Sequence, residues 1–287
     1  MTAATPAPAQ PSLEDLVTQN VLHADHVTIR FGGLVAVNDV SFSIPPRSIV
    51  SLIGPNGAGK TTFFNVITGL YRPTEGSIYF DRLDITTTKP HLRAAAGIAR
   101  TFQNIRLFNL MTAEENVLVA MHSKLKSGMV RTILRTPGQR KEERAALAKA
   151  HELLEFVGIG RAAGETARNL SYGDQRRLEV ARALALDPKV LLLDEPTAGM
   201  NPQESATFND FVHRVRDEKG LAILLIEHDM SVVMRVSERI TVLDRGETIA
   251  QGSPDDIRNN ERVIEAYLGS SAREQRTAGR KAEQPQS

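Results

Sequence analysis

The stretch "SIVSLIGPNGAGKTTFFNVITGL", residues 48–70, limits what this chain can fold into more than any other. A strand-sized apolar run passes directly into a glycine-rich loop and then into a helical pattern, the arrangement of a buried sheet strand feeding a helix. The loop itself, Gly54-Pro55-Asn56-Gly57-Ala58-Gly59-Lys60-Thr61, followed by Thr62, fits G-x-x-x-x-G-K-[ST]. Its three glycines let the backbone curl so that N–H groups face phosphate oxygens, Lys60 can reach the β- and γ-phosphates, and the Thr61 hydroxyl can hold Mg²⁺. ATP with Mg²⁺ is therefore the expected ligand, and an α/β fold with a mainly parallel sheet the expected frame.

The rest of the chain alternates in the same way. "HVTIRF" and "VSFSI" read as short strands joined through "GGLVAVNDV", and "GSIYF" as another strand. From about Thr112 the texture turns helical, in "AEENVLVAMHSKL" and "RKEERAALAKAHELLEFVG". After "LSYGDQRRLEVARALAL", a helix ended by Asp187-Pro188, the strands "KVLLLDE" and "LAILLIEH" flank the helix "PQESATFNDFVHRVRDEK", and "RITVLDRGETIAQG" reads as a hairpin. The β-rich beginning and the helical stretch of about 104–172 read as subdomains attached to the parallel core. The Ala/Pro-rich beginning, to residue 19, is expected to be a disordered arm before a domain of 20–269, and 270–287 a flexible tail.

Composition narrows the function. A net charge of +1 over 287 residues and the absence of cysteine argue against nucleic acid as a partner and against thiolate metal sites, and fit a reducing compartment. No apolar run approaches a membrane span and the first residues lack a signal-peptide pattern, so any membrane role is expected to come through partners. One basic run, Asn116 to Lys141, carries six Lys/Arg and no carboxylate; it reads as a solvated face or as one turned to anionic lipid.

Further groups converge on the loop. "VLLLDEP" is a buried strand whose end presents Asp194 to a Mg²⁺ shell and then Glu195, a carboxylate placed to orient and deprotonate an attacking water. Gln103 and His228 also follow strands of this sheet, which brings both toward the γ-phosphate. A second anion-binding turn, "LSYGDQRR", begins with Ser171 111 residues after Lys60. Ser171 and Asp174 form a capping-box pattern that starts a helix, and Gly173 leaves its N–H approachable. One ATP needs only one such cradle.

The ordered set of this loop, Gln103, "LSYG", "VLLLDEP" and His228 resembles the ATPases of ABC transporters, over about residues 20–268. The resemblance implies a P-loop, RecA-like core with an N-terminal antiparallel β subdomain and an inserted helical subdomain. It implies Gln103 as a further Mg²⁺ ligand beside Thr61 and Asp194, and Phe31 stacked on adenine, although a core phenylalanine would read the same way. It also answers the question of the second cradle: such ATPases pair head-to-tail, so Ser171 and Gly173 would close over the partner's ATP. Tyr172 and Asp174 stand where the common signature has glycine and glutamine, and Asn201 where aspartate is usual. "RFGGLVAVNDVSF", "RTFQNIRLFNLMTAEENVLVAMH" and "VIEAYLG" resemble in particular the larger ATPase of branched-chain amino acid importers. That implies two transmembrane permease subunits, a second and shorter ATPase, an extracytoplasmic solute-binding protein, and a peripheral place on the cytoplasmic face of the membrane. It also implies that Ile105, Leu107, Phe108, Leu110 and Met111 dock a permease, unless they pack the helical subdomain's own core. Import of amides, urea or aromatic compounds, lipopolysaccharide export, and soluble action on DNA or ribosomes are the alternatives.

Overall fold

The computed structural model describes residues 11–122 and 137–267. Two sheets organise it. The larger contains β3 (Ile49–Ile53), β6 (Ile98–Arg100), β7 (Val190–Asp194), β8 (Ala222–Ile226), β9 (Arg239–Asp244) and β10 (Glu247–Gly252), in the order β10-β9-β3-β8-β7-β6. All neighbours are parallel except the β9–β10 hairpin at one edge. Every residue of β3, β7 and β8 is buried, which is why these strands read as unbroken apolar runs: one face packs on helices, the other on the smaller sheet and the helix after the glycine loop. Leu52, Ile226 and Asp194 lie abreast across β3, β8 and β7. The residues that follow these strands therefore emerge side by side at one edge.

The smaller sheet is antiparallel, in the order β2-β1-β4-β5, from β1 (Leu22–Phe31), β2 (Leu34–Ile44), β4 (Glu75–Phe80) and β5 (Leu83–Asp84). Here the expected boundaries need correction. "GGLVAVNDV" is not a link: only Gly32 and Gly33 turn, with Gly32 at φ 57°, and Leu34 onward is strand β2 paired with β1, the two-residue hairpin that Gly-Gly favours. Nor is this subdomain purely N-terminal, since β4 and β5 return to it after the helix that follows the glycine loop. The arm is shorter than expected as well. Leu13–Gln19 form helix α1, started by a Ser12–Asp15 capping box whose four-residue signal lies hidden beneath the Ala/Pro-rich composition of the stretch. Residues 1–10 and 270–287 lie outside the described residues, as does most of the basic run.

Helix α2 (Lys60–Ile67) follows β3. Its last turn is held by Arg93 of α3 (Pro90–Ala96), which is 1% exposed and donates to the Val66 and Ile67 carbonyls at 2.7 Å and to Ile85, Thr86 and Thr88. Burial lowers its pKa to about 10, and these five carbonyls supply the partners that a buried guanidinium requires. The helical subdomain comprises α4 (Ala113–His122) and α5 (Pro137–Phe156), packed on α6 (Tyr172–Leu184). Helix α7 (Pro202–Lys219) starts at Asn201, whose side chain accepts from the Gln203 and Glu204 N–H groups, and ends at Gly220. The asparagine in place of aspartate thus has a local role, since both residues cap helices equally well. Helices α8 (Met230–Val236), α9 (Pro254–Arg258) and α10 (261–267) close the chain against β9 and β10.

Candidate functional site

The glycine loop curls between β3 and α2 because only glycine fits there. Gly59 has φ 99° and a side chain on it would come within 2.5 Å of the Ala36 carbonyl; one on Gly54 would collide with the Leu243 carbonyl. Gly59 is also the N-cap of α2, and no side chain caps that helix. Its first N–H groups therefore remain available to an anion. Ala58 and Lys60 are buried, Pro55, Gly59 and Thr62 half-buried, and Asn56, Gly57 and Thr61 exposed. Lys60 arches back over the loop and its Nζ donates to the carbonyls of Gly54 at 2.7 Å and Pro55 at 3.0 Å. Burial lowers its pKa, and the nearby carboxylates of Glu195 and Asp194 partly restore it.

Asp194, Glu195, Gln103 and His228 do meet at this edge. The Gln103 amide donates to Glu195 Oε2 at 2.8 Å, and His228 Nδ1 stands 3.8 Å from the same oxygen. Glu195 adopts φ 46°, a left-handed conformation uncommon for a side chain of its kind, and its N–H donates to the Ile226 carbonyl. Phe31 is 45% exposed at the end of β1 and meets Tyr71 edge-on at 5.2 Å, a partly open aromatic face rather than a core residue.

Three partners were not legible from sequence. Arg100, at the end of β6, donates to Asp194 Oδ2 and to Asn65 Oδ1, each at 2.7 Å, and lies over the rings of Phe64 and Phe102. Glu227, wholly buried, accepts from the N–H and hydroxyl of Thr197 and from the N–H of His228. Arg176, 3% exposed, holds the carbonyls of Phe102 and Gln103. Arg176 is one of several charged residues in its helix, with Asp174, Arg177, Glu179 and Arg182, so nothing in the sequence singles it out.

The second turn sits elsewhere. Ser171 is the N-cap of α6: its Oγ accepts from the Asp174 N–H at 3.2 Å and donates to Asp174 Oδ2 at 2.8 Å. The unexpected aspartate is thus occupied with its own cap. Ser171 is exposed, and a side chain added at Gly173 would meet open space. A groove of about 640 Å³ opens between this helix and α4, lined by Phe102, Arg106, Leu107, Phe108, Glu179 and Arg182 among others. Of the apolar docking candidates, Ile105 and Leu107 are half-buried, while Phe108, Leu110 and Met111 are exposed, Leu110 to 81%.

The glycine loop with its uncapped helix follows β3, the carboxylate pair ends β7 two strands away across β8, and the second turn opens α6. The family model described as ABC transporter matches residues 37–198. The chain belongs to the ABC transporter family. A second model, described as branched-chain amino acid ATP-binding cassette transporter, matches residues 247–273. The high-affinity branched-chain amino acid transport ATP-binding protein LivG of Salmonella typhimurium is 47% identical, with 88% of this chain and 99% of LivG covered. Among solved structures, the ADP conformation of MJ1267, an ATP-binding cassette of an ABC transporter, superposes with a TM-score of 0.77 at 32% identity, covering 88% of this chain and all of the other. A dimeric MJ0796 cassette bound to ADP and Pi gives 0.67 at 28% identity, covering 81% and 98%. This ABC subunit is an ATP-binding, ATP-hydrolysing transport ATPase, and the expected fold of a parallel P-loop core with antiparallel and helical subdomains holds. No described helix is long and apolar enough to cross a membrane.

Proposed function

We propose that this subunit powers the import of branched-chain amino acids through two permease subunits, paired with a second, shorter ATPase and fed by an extracytoplasmic binding protein. The observation that carries the reading is the C-terminal segment 247–273, matched by a model of branched-chain amino acid cassettes, in a chain 47% identical to LivG. It favours this substrate over the amide, urea, aromatic and lipopolysaccharide alternatives. The subunit would sit peripherally at the cytoplasmic face, with the groove beside Phe108 receiving a permease helix.

In this mechanism the N–H groups of residues 57–62 bind the ATP phosphates, Lys60 exchanges loop carbonyls for phosphate oxygens, and Phe31 covers adenine. Glu195 orients the attacking water and takes its proton, with Gln103 and His228 fixing the carboxylate. The Thr61 hydroxyl, the Asp194 carboxylate and the Gln103 amide oxygen are the hard oxygen donors that suit Mg²⁺. Among the described residues no group of three or more His, Cys, Asp or Glu is placed to hold a metal by itself. Bound Mg²⁺ would neutralise charge developing on the transferred phosphoryl group. Ser171 and Gly173 would serve the ATP of the partner ATPase.

Purification of tagged Glu195→Gln from its native membranes with ATP present tests the assembly, and uptake of labelled leucine tests the substrate. Recovery of two permeases and a shorter ATPase, with leucine uptake lost on deleting the gene, is the expected result. Recovery of ribosomes, nucleic acid or lipopolysaccharide-export subunits, or leucine uptake unchanged by the deletion, would overturn it.

A further inference from the structure

Tyr172 stands where the commonest signature wording has glycine, and its hydroxyl is engaged on both sides. It donates to the Ala198 carbonyl at 3.0 Å and accepts from Arg176 Nη2 at 3.0 Å. The same Nη2 donates to the Gln103 carbonyl at 2.6 Å, while Nη1 reaches the Phe102 carbonyl at 2.8 Å. The Gln103 amide donates to Glu195 Oε2, and the Ala198 N–H returns to the Glu195 carbonyl at 3.2 Å. These bonds close a circuit: Glu195, Gln103, Arg176, Tyr172, Ala198 and back to Glu195.

The circuit is built into the fold. Arg176 is buried against Glu179, whose other oxygen accepts from the Phe102 N–H. Its guanidinium lies over the Tyr172 ring at 5.4 Å. On the far side the Tyr172 ring lies beside Gly199, whose φ of 80° is a backbone conformation that favours glycine. Glu195 itself holds an unfavourable backbone conformation, which persists only where its surroundings over-determine it. A chain of hydrogen bonds at both ends of the residue supplies such a constraint.

We propose that Tyr172 and Arg176 are positioning residues for Glu195, a circuit that keeps the hydrolytic carboxylate in register with the turn 170–173. On the reading that this turn engages the partner's ATP, the circuit makes proton abstraction at one site answer to nucleotide at the other.

The test is Tyr172→Phe, which deletes the two hydroxyl bonds and keeps the ring. Hydrogen exchange of peptides spanning 196–201 is measured on the full chain without nucleotide. Loss of one such constraint should speed exchange roughly fivefold, the worth of a typical hydrogen bond, with residues 60–67 unaffected. In the assembled transporter kcat should fall about tenfold while KM for ATP stays within about twofold, the signature of an interaction that matters to the reacting state and not to binding. Unchanged exchange together with unchanged kcat would overturn the circuit, as would a loss of ATP affinity equal to the loss of kcat. The in-trans reading is judged separately: in the Glu195→Gln complex, ATP should slow exchange of 170–176, and its failure to do so would sink that reading while the exchange result on the isolated chain still decides the circuit.

Discussion

The chain carries two glycine turns that open helices, and they are finished differently. At the first, Gly59 caps α2 without any side-chain bond and leaves its N–H groups unspent; around it Gly54, Ala58 and Lys60 are buried and carboxylates converge. At the second, Ser171 and Asp174 satisfy one another, and the turn stands exposed with open space at Gly173. The first gathers buried charge and unspent N–H groups, the chemistry of an anion cradle. The second is satisfied by its own cap; on the proposed head-to-tail pairing it would serve the partner's nucleotide.

Substitutions can break this contrast. Lys60→Met should weaken ATP binding to this subunit and cut turnover of the assembled transporter roughly 10²–10³-fold, as loss of a phosphate-clamping cation does. Ser171→Arg should reduce turnover as severely but leave ATP affinity of the isolated chain within about twofold, by equilibrium binding of a fluorescent ATP analogue. Equal loss of affinity in both variants would mean that the two turns serve one nucleotide.

Next in size is the scaffold behind the second turn. Glu179→Ala leaves buried Arg176 without its carboxylate and should cost about 3 kcal/mol in denaturant unfolding. Burial holds the Glu179 pKa above the ordinary carboxylate value. That raised pKa makes native stability decline as pH rises through it, because the folded chain then binds more protons than the unfolded one. Ser171→Ala removes only the cap and should cost about 1 kcal/mol; a cost near zero would show the cap to be dispensable and the serine kept for its ligand.

The smallest effect concerns the first cradle's support. Tyr267 of α10 packs near Gly54, and burial pushes its pKa up to about 12 from 10.0. Its contribution to stability is complete below pH 10 and lost as pH rises toward 12, because the unfolded chain ionises first. Thermal midpoints of Tyr267→Phe and the parent should therefore converge or cross across that range, and a constant offset would contradict the assignment.

Much of this was legible early. The unbroken runs "SIVSLI", "VLLLD" and "AILLI" are β3, β7 and β8, neighbouring interior strands of the larger sheet, and the helix starts at Lys60 and Tyr172 follow from their turn residues. The hairpin at Gly32-Gly33 and the helix at Leu13 rest on short local signals that the composition around them masks. Strand β6 and helix α3 went unread altogether: three residues and seven residues are too few to show a period.

What the sequence by itself determined is therefore local: a glycine loop between strand and helix, a carboxylate pair at a strand end, a capped second turn. Each rests on backbone conformations within a few residues, where residue type and spacing carry the physics. Only the tertiary structure decided who meets whom. Arg100 finds Asp194 across 94 residues, and Arg176 finds the Gln103 carbonyl across 73. Those encounters depend on strand order and register in the parallel sheet, and on how α6 packs against its edge. No spacing along the chain encodes them, because they arise from burial summed over the whole core.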